Sequence, residues 1–490
     1  MLADRRVKIV ATIGPSTCDQ ENLYRAIESG ANILRLNFSH GTHAEHLKVI
    51  RSVRALSLQL QAPVALLQDL QGPKVRVGTF KSGSIELKVG QKVIFDPTLE
   101  EGENNQIPTD FKELPEVVKK GTSIFLDDGL MEVVVEKSIG SKVEAKVVYG
   151  GTLKNRKGMN LPGVSLLVEC LTEKDLEDLE FGLANKVDYV ALSFVRRGQD
   201  IRKLRELIEA RRPSTRIIAK IEMLEALDHM KEIVDLSDGV MVARGDLAVE
   251  VGQSQLPGVQ KKLIKHCNLM GKPVITATQM LDSMVENPRP TRAEITDVAN
   301  AVLDGSDALM LSAESASGKH PFKCIKIMHE IATEVEKTGD YFYKISLEEE
   351  FTDVARAISA SACLTAQKLN ASAIVCLTTS GKTAAMISRF RPKARIIAVT
   401  HILETLNRLE LVWGIQTFII KPYKSTDEAM SQIEDLLVKY GLVNTADKVI
   451  FTLGVPVSLR AKTNSLRVFT IGSERKKMAE KSRLPLRFQK

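Results

Sequence analysis

Eight short apolar segments, rich in β-branched residues and each followed by an amphipathic stretch, recur between residues 1 and 330. They are VKIVATI (7–13), ANILRLNF (31–38), APVALLQD (62–69), VDYVALSF (187–194), RIIAKIE (216–222), DGVMVAR (238–244), KPVITATQ (272–279) and SDALMLSAE (306–314). Helical patterns such as DLEDLEFGLAN and DIRKLRELIEARR lie between them. Strands alternating with helices of this length specify a parallel sheet, and eight such units are the count of a (β/α)8 barrel. Doubly wound sheets seldom need eight units so evenly spaced.

The rhythm breaks once. Residues 72–162 carry short alternating segments (IELKVGQKVIF, SIFLDDGLMEVVVEKSI, KVEAKVVYGG) punctuated by Gly, Asp and Asn, the texture of a small all-β module. An insertion after a barrel strand lands over the mouth where barrel active sites lie, so it suits a lid. After about residue 345 a new α/β pattern begins, with a helix over 352–370 and the loop TTSGKT between a strand and a helix. The expected layout is therefore a barrel (1–71 and 163–344), a β lid (72–162), a C-terminal α/β regulatory domain (345–472) and a basic extension (473–490).

Composition narrows the function classes. Six cysteines are scattered without a C-x-x-C pair, poor spacing for zinc or a disulfide framework, so a reducing cytoplasm is expected. There is no run of 18 apolar residues, so no membrane span is predicted. The net charge is +7, but SERKKMAEKSRLPLRFQK at 473–490 holds seven Lys/Arg against two Glu, leaving the rest nearly balanced. With one Trp and seven Tyr, no basic patch interleaved with aromatics is formed, and nucleic acid is not an expected partner.

Barrel enzymes place chemistry at the C-terminal strand ends. Side chains alternate across a strand, so Arg35, Asn37 and Ser39 leave the second strand on one face, and Lys220 and Glu222 leave the fifth likewise. The third ends at Asp69, the sixth runs into Gly245 and Asp246, the seventh ends at Thr278, and the eighth at Ser312 and Glu314. Two carboxylates from neighbouring strands suit a hard, oxygen-ligated Mg2+ that keeps water or phosphate oxygens as its other ligands, and Mn2+ fits the same set. A Lys and an Arg beside them match a transferring phosphoryl group, whose charge is spread over three oxygens. The residues alone thus predict Mg2+-dependent phosphoryl or enolate chemistry under a lid. SGKT at 380–383 is not a Walker A motif, because the Gly required five positions before Gly381 is Cys376. Such a loop can still take phosphate on its backbone N–H groups.

The stretches KIVATIGPST, ILRLNFSHG, KIEMLEAL, MVARGDLAVEV and PVITATQMLDSMVENPRPTRAEITDVANAVLDGSDALMLSAESASG resemble the pyruvate kinase family, and the similarity runs from about residue 6 to 472. The resemblance implies a barrel, a β lid and a C-terminal α/β domain, usually in a homotetramer. It implies transfer of phosphate from phosphoenolpyruvate to ADP, giving pyruvate and ATP in the last step of glycolysis. Lys220 would then contact the transferring phosphoryl group, with Glu222 and Asp246 holding Mg2+. The Gly245 region would receive the substrate carboxylate, and Thr278 would lie near the enolate carbon where a proton arrives. Arg35, Asn37, Ser39, His40, Arg76 and Lys157 resemble the phosphate- and nucleotide-contacting set. Thr378, Thr379, Ser380, Gly381, Lys382 and Thr383 match a sugar-phosphate effector loop, with Trp413 and Arg460 completing it.

Three departures stand out. The eighth strand has SAESA where SGETA is commoner, and the tail runs past the usual end. After the third strand the chain has DLQGPK where potassium-requiring members have DTKGPE. Those members coordinate K+ at positions matching Asn37, Ser39, Asp69 and the Leu70 backbone, with a Glu in place of Lys74. Here the charge is reversed and Leu70 and Gln71 replace a Thr-Lys pair, so K+ is expected to be unnecessary, the Lys74 ammonium standing in for it. A non-catalytic protein on the same scaffold should have lost some of Lys220, Glu222, Asp246, Arg35 and Thr278; all five are present.

Overall fold

The computed structural model describes residues 5–164, 169–212, 214–337, 342, 353–456 and 462–472. The arginine at 460 and the basic extension 473–490 lie outside the described residues.

Each of the eight expected segments contains a strand: β1 (Lys8–Ile13), β2 (Ile33–Asn37), β3 (Ala65–Asp69), β4 (Tyr189–Leu192), β5 (Arg216–Ile221), β6 (Gly239–Ala243), β7 (Val274–Ala277) and β8 (Ala308–Leu311). They run parallel in chain order, and β8 closes onto β1 with Lys8 opposite Ala308. The sixth and eighth strands stop short of their expected ends, because Arg244 opens a helix (Arg244–Val251) and Ala313 another (Ala313–Ala316).

Strand periodicity sorts the side chains. Ile9, Ala11, Leu34 and Leu36 face out and pack under the surrounding helices, whereas Val10, Ile33, Leu67, Ile218, Met241 and Ile275 fill the barrel interior. Two residues beyond these interior positions, on the same face, come Thr12, Arg35, Asp69 and Lys220. The polar mouth is thus the top layer of an otherwise apolar stack. The bottom is closed from outside the barrel by Leu411, 1% exposed and part of the same apolar cluster.

The chain leaves the barrel after β3. Its excursion forms a six-stranded sheet whose centre is the hairpin Met131–Ile139 and Lys142–Tyr149, plus two two-stranded pieces, around a separate core that includes Phe95, Ile124 and Val133. The C-terminal domain has a helix Val354–Leu369 and a five-stranded sheet. Its strands are β9 (Ala373–Leu377), β10 (Arg395–Thr400), β11 (Ile415–Ile419), β12 (Lys448–Leu453) and β13 (Ser465–Thr470). The last is antiparallel to its neighbour β12.

Candidate active site

The inward face of the strands brings the expected residues together at the barrel mouth. Lys220 Nζ lies 2.9 Å from Glu222 Oε1 and 3.3 Å from Asp69 Oδ1, and it donates to Ser193 Oγ at 2.6 Å. Arg35 Nε meets the other oxygen of Asp69 at 2.7 Å, while its Nη1 donates to Thr12 Oγ1 at 3.0 Å. Burial alone would pull the Lys220 pKa down, but Asp69 and Glu222 outweigh it, and the ammonium is held well above its ordinary range. Burial likewise disfavours the Asp69 carboxylate, and here Lys220 and Arg35 win, lowering its pKa. The Lys220 ammonium therefore stays charged at the point where a phosphoryl group would arrive.

Glu222 directly follows β5, and Asp246 lies in the first turn of the helix that follows the adjacent β6. Glu222 is 2% exposed and its Oε2 accepts from the Phe194 N–H at 2.7 Å. Burial pushes the Glu222 carboxyl up, and the charge of Asp246 adds to the rise. Among the described residues no group of three or more His, Cys, Asp or Glu side chains is gathered as a metal nest. The donor set is thus two hard carboxylates that repel each other, which fits a divalent ion taking its remaining ligands from water or substrate.

The seventh strand ends in strained backbone. Thr278 has φ +67° and Gln279 φ +51°, and a β-branched residue is a genuine outlier there. Arg244, 8% exposed, explains how this persists. Its Nε donates to the Ala277 and Thr278 carbonyls at 3.1 and 3.2 Å, and its Nη2 donates to those of Thr278 and Gln279 at 2.6 and 3.2 Å. Its Nη1 makes both bonds to the Asp297 carboxylate, at 2.9 and 2.7 Å. The Thr278 hydroxyl so placed accepts from the Gly245 N–H at 2.9 Å. Sequence reasoning missed Arg244, although its place in the ARGD run one residue before Gly245 was a signal. Glu314, 1% exposed, accepts from the N–H groups of the half-buried Ser312 (2.6 Å) and of Leu281 (3.3 Å).

Asn37 and Ser39 stand at the same rim, the Asn37 carboxamide accepting from the Ser39 N–H at 3.2 Å. His40 follows on the turn, its N–H donating to the Asn37 carbonyl at 3.2 Å. Arg76 and Lys157 belong to the lid and lie apart from this rim cluster in their contacts: Arg76 donates to the Arg156 carbonyl at 3.3 Å, and Lys157 pairs with Asp127 at 2.8 Å.

Lys74 is placed differently from expectation. Its ammonium does not reach Asp69; Arg35 and Lys220 already pair with that carboxylate. Instead it pairs with Asp246 at 3.3 Å and with Asp128 of the lid at 3.5 Å. Burial opposes its charge, but Asp246 and Asp128 prevail and raise its pKa.

The TTSGKT loop lines a cavity of about 610 Å³ in the C-terminal domain, with Thr378, Thr379, Ser380, Lys382 and Thr383 on its wall. Lys462 and His401 face the same space. Gly381 is not on that wall; it adopts φ +82° and opens the helix Lys382–Ser388. Trp413 does not complete this site. It is fully buried at the junction with the barrel, its backbone N–H donating to Asp307 Oδ1 at 3.1 Å and its ring lying under Arg391. Its large apolar surface is better buried between two domains than offered to a phosphate.

Comparison with known proteins agrees with this fold. Residues 4–325 match the family model described as pyruvate kinase, barrel domain, and residues 356–469 match pyruvate kinase, alpha/beta domain. Pyruvate kinases of Staphylococcus aureus strains MRSA252 and USA300 are each 44% identical over 474 residues, 96% of this chain and 81% of theirs. The crystal structure of a pyruvate kinase from Cryptosporidium parvum superposes with a TM-score of 0.88 at 34% identity, covering 96% of both chains. No helix among the described residues is long and apolar enough to cross a membrane. With the barrel and the C-terminal domain both matched and 44% identity to curated relatives over 96% of its length, the chain belongs to the pyruvate kinase family.

Proposed function

We infer that the chain transfers the phosphoryl group of phosphoenolpyruvate to ADP, yielding pyruvate and ATP. The observation that carries this is Lys220, kept cationic between Asp69 and Glu222 at the barrel mouth. Charge on the three oxygens of a loose phosphoryl transition state is met by preorganised cations rather than by covalent help. Lys220 and Arg35 supply them, and Asp69 holds both in place. Glu222 and Asp246 would hold Mg2+ (or Mn2+), which when bound neutralises phosphate and carboxylate oxygens. The Gly245 N–H receives the substrate carboxylate, releasing its present bond to the Thr278 hydroxyl. Thr278 is thereby freed at the face where the enolate carbon is protonated. Asn37, Ser39 and His40 on the rim, with Arg76 and Lys157 descending from the lid, take the nucleotide phosphates. A coupled assay with phosphoenolpyruvate, ADP and Mg2+ tests the reading. Pyruvate must form in proportion to ATP, and its absence under all salt and effector conditions would leave a non-catalytic protein.

Three finer readings follow. Potassium is dispensable, the Lys74 ammonium bringing to the Asp246 side of the mouth, rather than to Asp69, the positive charge that the ion supplies in potassium-requiring members. The 378–383 loop takes a sugar phosphate: its cavity presents hydroxyls with Lys382 and Lys462, groups suited to sugar oxygens and phosphate. Thermal shifts with glucose 6-phosphate, ribose 5-phosphate and fructose 1,6-bisphosphate should then be smaller for Lys382→Ala than for the parent chain. Assembly is as a homotetramer in the cytoplasm, the former checked by light scattering.

A further inference from the structure

The effector cavity and the barrel mouth have no residue in common, yet one segment touches the structures behind both. The helix Leu403–Leu409 hangs from the cavity loop: the Thr405 hydroxyl donates to the Thr379 carbonyl at 2.8 Å. Leu409 lies directly under Gly381, where an added Cβ would come within 2.9 Å of its Cδ2. The same helix is bolted to the barrel floor. The Tyr189 hydroxyl at the start of β4 donates to the Arg408 carbonyl at 2.5 Å, and Arg408 Nη1 donates to the Ser214 carbonyl at 2.8 Å. Next along the chain, Glu410 pairs with Lys8 of β1 at 3.5 Å and accepts from Asn32 at 3.0 Å. Leu411 then enters the barrel's interior cluster with Val10, Ile33, Ala65 and Ile218.

We propose that residues 403–413 form the lever through which occupancy of the 378–383 loop changes phosphoenolpyruvate affinity, Thr405 being its grip on the loop and Leu411 its contact with the barrel interior. This rests on the reading of that loop as a sugar-phosphate site. A ligand shifts an equilibrium only through contacts that differ between two states. Phosphate drawn onto the loop's hydroxyls and N–H groups re-aims the Thr379 peptide, whose carbonyl is the Thr405 acceptor. At the other end there is no slack, since close-packed interiors pass on displacement rather than absorb it. Ile33 and Ile218, in the same interior cluster as Leu411, are each two residues below Arg35 and Lys220 on the same strand face. The lever therefore meets the base of the stack whose top layer binds substrate.

The test measures sugar-phosphate binding by calorimetry, and KM for phosphoenolpyruvate with and without that ligand. The probes are glucose 6-phosphate, ribose 5-phosphate and fructose 1,6-bisphosphate. In the parent chain the binding probe should change KM about fivefold or more, within the usual range of allosteric coupling. Thr405→Val, nearly isosteric but without the hydroxyl, should keep the probe's Kd within about twofold while the change in KM falls below about twofold. Leu411→Ala should do the same, and the volume-conserving Leu411→Met should retain part of the coupling, which covers the case that the cavity variant fails to fold. Undiminished coupling in Thr405→Val and Leu411→Met overturns the lever while leaving the effector site intact. Failure of every probe to bind the parent chain in a Lys382-dependent way overturns the effector reading, and the lever with it.

Discussion

The ammonium of Lys74 lies 3.3 Å from Asp246 Oδ1 and 3.5 Å from Asp128 Oδ1, so one side chain joins a carboxylate beside β6 to the tip of a lid hairpin. In sodium-free tetramethylammonium buffer at matched ionic strength, KCl should therefore raise the activity of the parent chain less than tenfold. Lys74→Glu sets a third carboxylate against Asp246 and Asp128. It should lower activity without K+ and make what remains rise with K+. Tenfold or greater activation of the parent chain would defeat the assignment.

Lys220→Met removes the cation that Asp69, Glu222 and Ser193 position. Loss of one preorganised group of this kind costs at least about 3 kcal/mol of transition-state stabilisation, so kcat should fall by about 100-fold or more. Proton exchange on pyruvate, which needs no phosphoryl transfer, should persist with Mg2+. Retention of a tenth of the parent kcat would exclude the role.

Arg244 spans three consecutive carbonyls and the Asp297 carboxylate, and a lysine cannot reproduce that planar fork. Arg244→Lys should let Thr278 relax from φ +67°. Small misplacements of reacting groups cost up to about 100-fold in rate, so kcat should drop by roughly 10- to 100-fold with KM for ADP nearly unchanged. Asp297→Asn should show a milder form of the same split. Equal losses in kcat and ADP affinity would instead mean general disruption of the site.

Glu250, on the helix that also bears Asp246, is 7% exposed and accepts from the Leu224 N–H at 3.4 Å. Burial pushes its carboxyl up to about 7 from an ordinary 4.5. A raised carboxyl pKa favours the protonated folded state; this stabilisation is full below about pH 4.5 and is lost as pH rises through 7. Glu250→Gln mimics the neutral form. Its Tm relative to the parent chain should therefore be higher at pH 8 than at pH 5, by roughly 2 °C or more, with Mg2+ removed in both. An equal difference at the two pH values would show the carboxyl to be ordinary.

The order of β/α units, the excursion between β3 and β4 and the separate C-terminal sheet were legible in the sequence, because each follows from local periodicity. Strand alternation also set Arg35 with Asn37 and Ser39 on one strand face and Lys220 with Glu222 on another, and put Asp69 at a strand end. Arg244 was not legible as a clamp: its partners are carbonyls 33 to 35 residues away, exposed only because Thr278 and Gln279 adopt left-handed backbone. Backbone acceptors leave no mark on composition. Trp413 failed for a related reason, since an isolated tryptophan near a loop gives no sign of which side of the chain packs.

By itself, then, the sequence determined the barrel and the strand ends that carry chemistry, both properties of local spacing and residue type, while the resemblance of its motifs pointed to the family. The tertiary structure alone decided which opposite charge each ion finds. Lys74 turns to Asp246 and Asp128 rather than Asp69 because Arg35 and Lys220, from two other strands, already pair with that buried carboxylate. It decided also that Leu411, far along the chain, closes the barrel floor. Coulomb attraction and close packing act through space, between side chains that only closure of the barrel and docking of the C-terminal domain bring within reach.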